Sequence, residues 1–261
     1  MRTVKVFEEA WPLHTPFVIA RGSRSEARVV VVELDEDGVK GTGECTPYPR
    51  YGESDASVMA QITSVVPQLE KGLSRAELQK ILPAGAARNA LDCALWDLSA
   101  RKQQQTLAEF IGITLPDNIT TAQTVVIGTP EQMASSAAAL WRAGAKLLKV
   151  KLDNHLISER MVAIRAAVPD ATLIVDANES WRAEGLAARC QLLADLGVAM
   201  LEQPLPQGFS LMLGCMLCTS RAIRAALPLV PQVSFADLDG PTWLAVDVER
   251  ALQFMTGELH L

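Results

Sequence analysis

Leu147-Leu148-Lys149-Val150-Lys151-Leu152 alternates lysine with apolar residues from Leu148 onward, the pattern of a strand with two unlike faces. Side chains two apart on a strand share a face, so Leu148, Val150 and Leu152 point one way and Lys149 and Lys151 the other. In a parallel sheet covered by helices the apolar set must face the helices. Both ammonium groups then point to the opposite side, which in a barrel is the lumen. A solvated edge strand with two surface lysines is the alternative for this run alone. The next strands argue against it: Leu173-Ile174-Val175 ends in Asp176, and Met200-Leu201 ends in Glu202. Single carboxylates at the carboxyl ends of successive apolar strands occupy the edge where barrel enzymes build their sites.

Working outward, the strands 124–127, 147–152, 173–177 and 199–202 are separated by single helices, the signature of βα units. Thr129-Pro130-Glu131-Gln132 opens one helix with an N-cap, a proline at the first position and a glutamine three residues on. Gly144 ends it. A second helix is predicted over 157–168, and a third from a Ser180 cap to Gly197. Lys151, Asp176 and Glu202 follow one another at intervals of about 25 residues. After Glu202 the repeat breaks. Only Gln203 to Gly208 precede the next strand, 209–216, whereas parallel neighbours need a crossover of about a dozen residues. With a last strand over 233–238, six strands are predicted where a closed barrel has eight. Two βα units, roughly 60 residues of a barrel of about 250, are missing between Pro206 and Gln207. Upstream, a strand meander with a turn at Asp35-Glu36-Asp37-Gly38 precedes helices over 55–69 and 86–103. Ala87, Leu91, Ala94, Leu95 and Leu98 share one face of the second helix. The predicted class is α/β, with an α+β domain over 1–115, an incomplete barrel domain over 116–250 and a segment 251–261 packing back on the first domain.

Of 261 residues 49% are apolar and 21% charged, enough to build a core and to exclude disorder. Twenty-four Lys and Arg against 30 Asp and Glu leave a net charge of −6, which argues against a nucleic-acid or anionic-membrane partner. The start, Met1 to Glu9, is a charged alternating strand without the apolar core of a signal peptide. The charge-free run 203–220 is broken by Pro204, Pro206, Gly208 and Gly214 and is not a membrane span. Five cysteines without a secretion signal read as reduced thiols in a cytoplasm. Cys215-Met216-Leu217-Cys218, placed on a strand, has its sulfurs on opposite faces and reads as packing. Gly41-Thr42-Gly43-Glu44 lacks the third glycine of a dinucleotide fingerprint. Small-molecule chemistry remains, with a homo-oligomer compatible.

Two carboxylates and two lysines at one apolar mouth require mutual compensation, because an unpaired buried charge is expensive. A divalent cation is the simplest remedy, and oxygen ligands without nearby His or Cys suit Mg²⁺. A partly desolvated lysine beside it becomes a usable base.

Lys149-Val150-Lys151, Asp176-Ala177-Asn178 and Glu202-Gln203-Pro204 together resemble the enolase superfamily, in its muconate-lactonizing-like branch with a Lys-x-Lys motif. Asp237-Leu238-Asp239-Gly240-Pro241 is similar to the Asp-x-Asp element of dipeptide epimerases. The resemblance covers nearly the whole chain. It implies an N-terminal capping domain and a modified TIM-type (β/α)7β barrel, here without its fifth and sixth strands. It further implies Mg²⁺-dependent inversion of the Glu α-carbon in L-Ala-D/L-Glu, a dipeptide of murein recycling, through a stabilised enediolate. By position Lys151 matches the base and Lys149 its auxiliary, while Asp176 and Glu202 match two of three metal ligands. Asp237 and Asp239 match the pair that receives the substrate ammonium, and Arg21 and Arg24 lie in a loop, Phe17 to Arg28, that closes over the site. The family's third metal acid and its lysine on the opposite substrate face belong to the two missing strands. Either the polypeptide carries those units outside this sequence, or it is a true deletion form with an impaired site. Intact strands on both sides of the junction favour the former. An N-acylamino acid racemase or o-succinylbenzoate synthase is the neighbouring alternative; its substrate lacks a free ammonium and would leave the two aspartates unpaired.

Overall fold

A computed structural model describes residues 1–20, 22–205, 212–232 and 235–260. Strands β1 (Arg2–Ile19), β2 (Gly22–Glu36) and β3 (Val39–Cys45) form an antiparallel sheet. Asp37 and Gly38, at φ 57° and 85°, make the two-residue turn between β2 and β3, a left-handed pair that matches strand twist. Helices α1 (Asp55–Glu70), α2 (Arg75–Ile81), α3 (Ala86–Lys102) and the short α4 (Leu107–Phe110) follow. Each of α1, α2 and α4 starts with a reciprocal capping box, for example Ser74 with Glu77. Val30, Val32 and Leu34 of β2 pack with Ile62 and Leu69 of α1 and with Leu91 and Leu95 of α3. Gly41 and Gly43 let α3 lie directly on β3. A Cβ on Gly43 would stand 2.2 Å from the Ala90 carbonyl oxygen.

The second half begins with β4 (Asn118–Thr120), then β5 (Ala122–Val125), α5 (Pro130–Arg142), β6 (Leu147–Lys151), α6 (Ile157–Ala167), β7 (Thr172–Asp176), α7 (Leu186–Asp195) and β8 (Val198–Glu202). Strands β5 to β8 form one parallel sheet in chain order. Leu148, Val150 and Leu152 pack in one core with Met133, Met161 and Ile164 of the covering helices. Leu147 joins Ala122 and Ile174 on the other face, as the alternation requires. The chain continues through β9 (Met212–Gly214), α8 (Ser220–Ala226) and β10 (Phe235–Asp237). Strands β9 and β10 pair in parallel as a separate two-stranded sheet. β10 lies beside β5, where the Leu238 N–H donates to Thr121 Oγ1 at 2.8 Å. The six expected strands are thus split four and two, and among the described residues no strand bridges β8 and β9. Residues 206–211, which include the junction, lie outside the described residues.

The C-terminal strand β12 (Glu258–His260) pairs with β4 and with β11 (Gln253–Met255); Leu259 and Ile119 are buried together there. The structure departs from the expectations at three places. Ser180 caps no helix: Trp181 is buried, its indole donating to Asp153 O and its N–H to Pro204 O, and the chain turns at 178–179 and again at 183–185 before α7 starts behind Gly185. The segment expected as a loop over 17–28 is mostly hairpin, Phe17 pairing with Arg24. Cys215 to Cys218 form the bend between β9 and α8 rather than a strand.

The two halves meet at a buried carboxylate. Glu44, 2% exposed at the end of β3, accepts from the Thr219 N–H at 2.8 Å, from the Thr219 hydroxyl and from Arg221 Nη1 at 2.8 Å.

Candidate active site

Register places the charged residues. Lys151 of β6 is directly beside Asp176 of β7, and Asp176 beside Glu202 of β8. The last alignment depends on a bulge. Leu173 faces Val198 but Ile174 faces Met200, and without the extra residue Glu202 would turn to the helix face.

Lys149 is at the centre. Its Nζ lies 2.6 Å from Asp237 Oδ2, 2.7 Å from Glu202 Oε2 and 3.2 Å from Asp176 Oδ2. Lys151 Nζ donates to Asp176 Oδ2 at 2.6 Å, and the Asn178 N–H donates to Asp176 Oδ1 at 2.8 Å. Burial would lower the pKa of Lys149, but Asp237, Asp176 and Glu202 outweigh it and hold the ammonium well above its ordinary range. Burial pushes Asp176 up, and Lys151 and then Lys149 overcome this and keep it ionised below the usual range. Glu202 is shifted the other way. Its desolvation exceeds its share of Lys149, and Asp176 repels it further, so its pKa is raised. Asp239 is pushed up to about 7 by burial and by Asp237, while its Oδ2 accepts from the Thr124 N–H at 3.0 Å and the Trp243 indole at 3.2 Å.

Lys151, Asp237, Asp239 and Arg24 all line one pocket of about 270 Å³, walled also by Phe17, Tyr48 and Cys215. Asp176, Glu202 and Lys149 lie behind it. Arg21 falls outside the described residues. Asp237 Oδ1 is buried and accepts no hydrogen bond among the described residues, and Glu202 Oε2, although close to Lys149, is off hydrogen-bond alignment. Reading from the sequence missed Thr124, Trp243 and Asn178, which orient the acids. Thr124 alone carried a signal, since it shares the inward face of β5 with Ala122.

Mg²⁺ would need an open set of oxygen donors at this edge. Asp176, Glu202 and Asp237 converge on the Lys149 ammonium, so the position between them already holds a cation, and among the described residues no group of three His, Cys, Asp or Glu is open to a metal. With Lys149 placed there, the residues present do not fit the ion. Millimolar Mg²⁺ is accordingly expected to leave the thermal unfolding midpoint unchanged, because an ion that binds only the folded state raises it. A concentration-dependent rise would show that the acids release Lys149 for the metal.

Residues 1–112 match the family described as mandelate racemase / muconate lactonizing enzyme, N-terminal domain, and residues 132–214 match the family described as enolase C-terminal domain-like. The L-Ala-D/L-Glu epimerase of Escherichia coli (strain K12) is 74% identical over 321 aligned residues, covering 100% of both chains. An alignment of 321 positions against a chain of 261 leaves about 60 without a residue here, the size of two βα units. A solved structure titled L-Ala-D/L-Glu Epimerase superposes with a TM-score of 0.93 at 72% identity, covering 100% of this chain and 99% of the other. The dipeptide epimerase of Methylococcus capsulatus, complexed with Mg and the dipeptide L-Arg-D-Lys, superposes with a TM-score of 0.84 at 26% identity, covering 99% and 96%. No described helix is long and apolar enough to cross a membrane.

Proposed function

The chain belongs to the enolase superfamily as an isomerase of the dipeptide-epimerase branch, and on that premise we propose that it binds L-Ala-D/L-Glu in the cytoplasm, as part of murein recycling. In this reading Lys151 faces the Glu α-proton, and the reaction stops short of efficient inversion. The observation that carries it is Asp237. Its Oδ2 is held by Lys149 while its buried Oδ1 is left without a donor at the pocket. A buried carboxylate oxygen without a partner is costly, and the α-ammonium of a dipeptide supplies the missing donor. Asp239, beside it, adds a second anion, and Arg24, which lines the same pocket, suits the substrate carboxylate.

Lys151 serves one face of the α-carbon. Lys149 lies one strand position deeper and brings a fixed positive charge towards the carboxylate whose electrons take up the developing negative charge. Inversion needs a second proton donor on the other face, and no described residue stands in that role. The reading therefore separates two observables. In D₂O, deuterium should enter the Glu α-carbon of L-Ala-L-Glu faster than the D-Glu epimer appears, and inversion should fall orders of magnitude below that of a relative with all eight strands. Inversion as fast as exchange would sink it.

Binding should also depend on pH. Below about 7 Asp239 is neutral and attracts the ammonium less; above it the carboxylate is charged. Dipeptide affinity should rise on the order of tenfold from pH 5.5 to 7.5 and fall again as the peptide amine, of pKa about 8, loses its proton. Calorimetric titration with L-Ala-L-Glu checks this, and N-acetyl-Glu, which lacks the ammonium, should bind weakly throughout. The reverse preference would favour the N-acylamino acid racemase reading.

A further inference from the structure

The sulfurs of Cys215 and Cys218 are neighbours. A Cβ placed on Gly240 would lie 3.1 Å from each Sγ, so the two sulfurs stand within twice that distance of each other. The bend at 215–218 brings together side chains that a strand would have parted. Cys215 lines the pocket, whereas Cys218 is 3% exposed behind it. Two cysteines separated by two residues in a turn, one reachable and one shielded, have the arrangement used by exchange-active dithiols. The remaining cysteines lack this arrangement. Cys45 is buried in the cap, Cys93 is on α3, and Cys190 is exposed on α7.

Cys215 is also tied to the acid pair. Its N–H donates to Asp237 O at 2.9 Å, and its Sγ accepts from the Gly240 N–H at 3.3 Å. A Cβ on Gly240 would come within 2.4 Å of Met216 O, so the two segments are in backbone contact.

We propose that Cys215 and Cys218 are a modification site, oxidised to a disulfide by low-molecular-weight disulfides entering through the pocket, and that the linked form holds dipeptide more weakly. The thiolate of Cys215 attacks one sulfur of oxidised glutathione and releases one glutathione thiolate, leaving a mixed disulfide. The Cys218 thiol then attacks the Cys215 sulfur and passes its proton to the departing glutathione thiolate, which leaves as the second glutathione. Two protein thiols are oxidised and one glutathione disulfide is reduced. A disulfide needs its sulfurs about 2.05 Å apart, so closure draws Cys215 towards Cys218 and strains its two bonds to the Asp237–Gly240 segment. The loss of affinity rests on the reading of that segment as the ammonium site; the linkage does not.

The test is oxidation of the folded, reduced protein with glutathione disulfide, followed by unfolding, alkylation and peptide mapping. The expected result is one linked peptide containing Cys215 and Cys218, with Cys45, Cys93 and Cys190 alkylated, all reversed by dithiothreitol. Cys218→Ser should stop at glutathionylated Cys215, and Cys215→Ser should give no product at this bend. Full alkylation of both cysteines after oxidation, or a link to another cysteine, overturns the proposal. L-Ala-L-Glu affinity should drop at least tenfold in the linked form. An unchanged affinity overturns the coupling to the pocket, whereas reduced protein that binds no dipeptide refutes the functional reading and leaves the linkage result standing.

Discussion

Replacing Lys149 by methionine is expected to destabilise the protein by about 3–5 kcal/mol, the usual consequence of removing one partner from a buried charge cluster. The substitution keeps the length and apolar stem of the side chain and deletes only its charge and donors. Three carboxylates converge on that ammonium at 2.6, 2.7 and 3.2 Å, and its side chain is 4% exposed. Lys151 can still pair with Asp176, but no other cation is within ion-pair distance of Glu202 or Asp237 among the described residues. Those acids would recover neutrality only by taking up protons. The loss should therefore shrink as the pH is lowered, since the variant's native state binds more protons than its unfolded chain and stability then rises on acidification. Urea unfolding of parent and variant at pH 7 and pH 5 checks both statements. A loss below 1 kcal/mol at pH 7 would mean that water or bulk ions reach the cluster and that the charges are not locked together.

The second large effect is expected outside the pocket lining, at Gly43→Ala. The added methyl would meet the Ala90 carbonyl oxygen at 2.2 Å and the Ala94 nitrogen at 2.7 Å. Both are backbone atoms of a continuous helix, so no rotamer change relieves the contact. Either α3 lifts from β3, opening the core at Leu91 and Leu95, or β3 bends. Overpacking of this kind costs about 3 kcal/mol or more, which for a chain of this size lowers the thermal midpoint by on the order of 6–12 °C. A differential scan reads it directly, and a midpoint within 2 °C of the parent would show that the helix has room to move. The pair Gly41-Thr42-Gly43, which fails as a nucleotide fingerprint, is thereby explained as a seat for a helix.

What the sequence revealed was whatever repeats along one element. The alternation in 147–152 is enough to send Lys149 and Lys151 away from Leu148 and Val150, and the spacing of Asp176 and Glu202 is enough to bring them to one edge. The residues that escaped reading depend on events between elements. The bulge at Val198–Met200 leaves no mark in composition, yet it alone aims Glu202. Ser180 has the chemistry of a cap, but burial of Trp181 takes the backbone elsewhere. Pairing of β12 with β4 joins segments more than 130 residues apart, a distance over which local preference carries no information. The bend at Cys215 follows from β9 ending at Gly214, whereas an unbroken strand over 209–216 would have separated the sulfurs. The missing βα units were legible for the opposite reason: a crossover has a minimum length, and six residues cannot meet it.

The joint at Glu44 has a consequence for how heat undoes this molecule. Thr219 and Arg221 hold this carboxylate from the other half of the chain, so the departure of either half gives up three bonds and the burial that both halves share. Melting should accordingly proceed as a single event, with the shortened parallel half lasting for as long as its intact companion does and no longer.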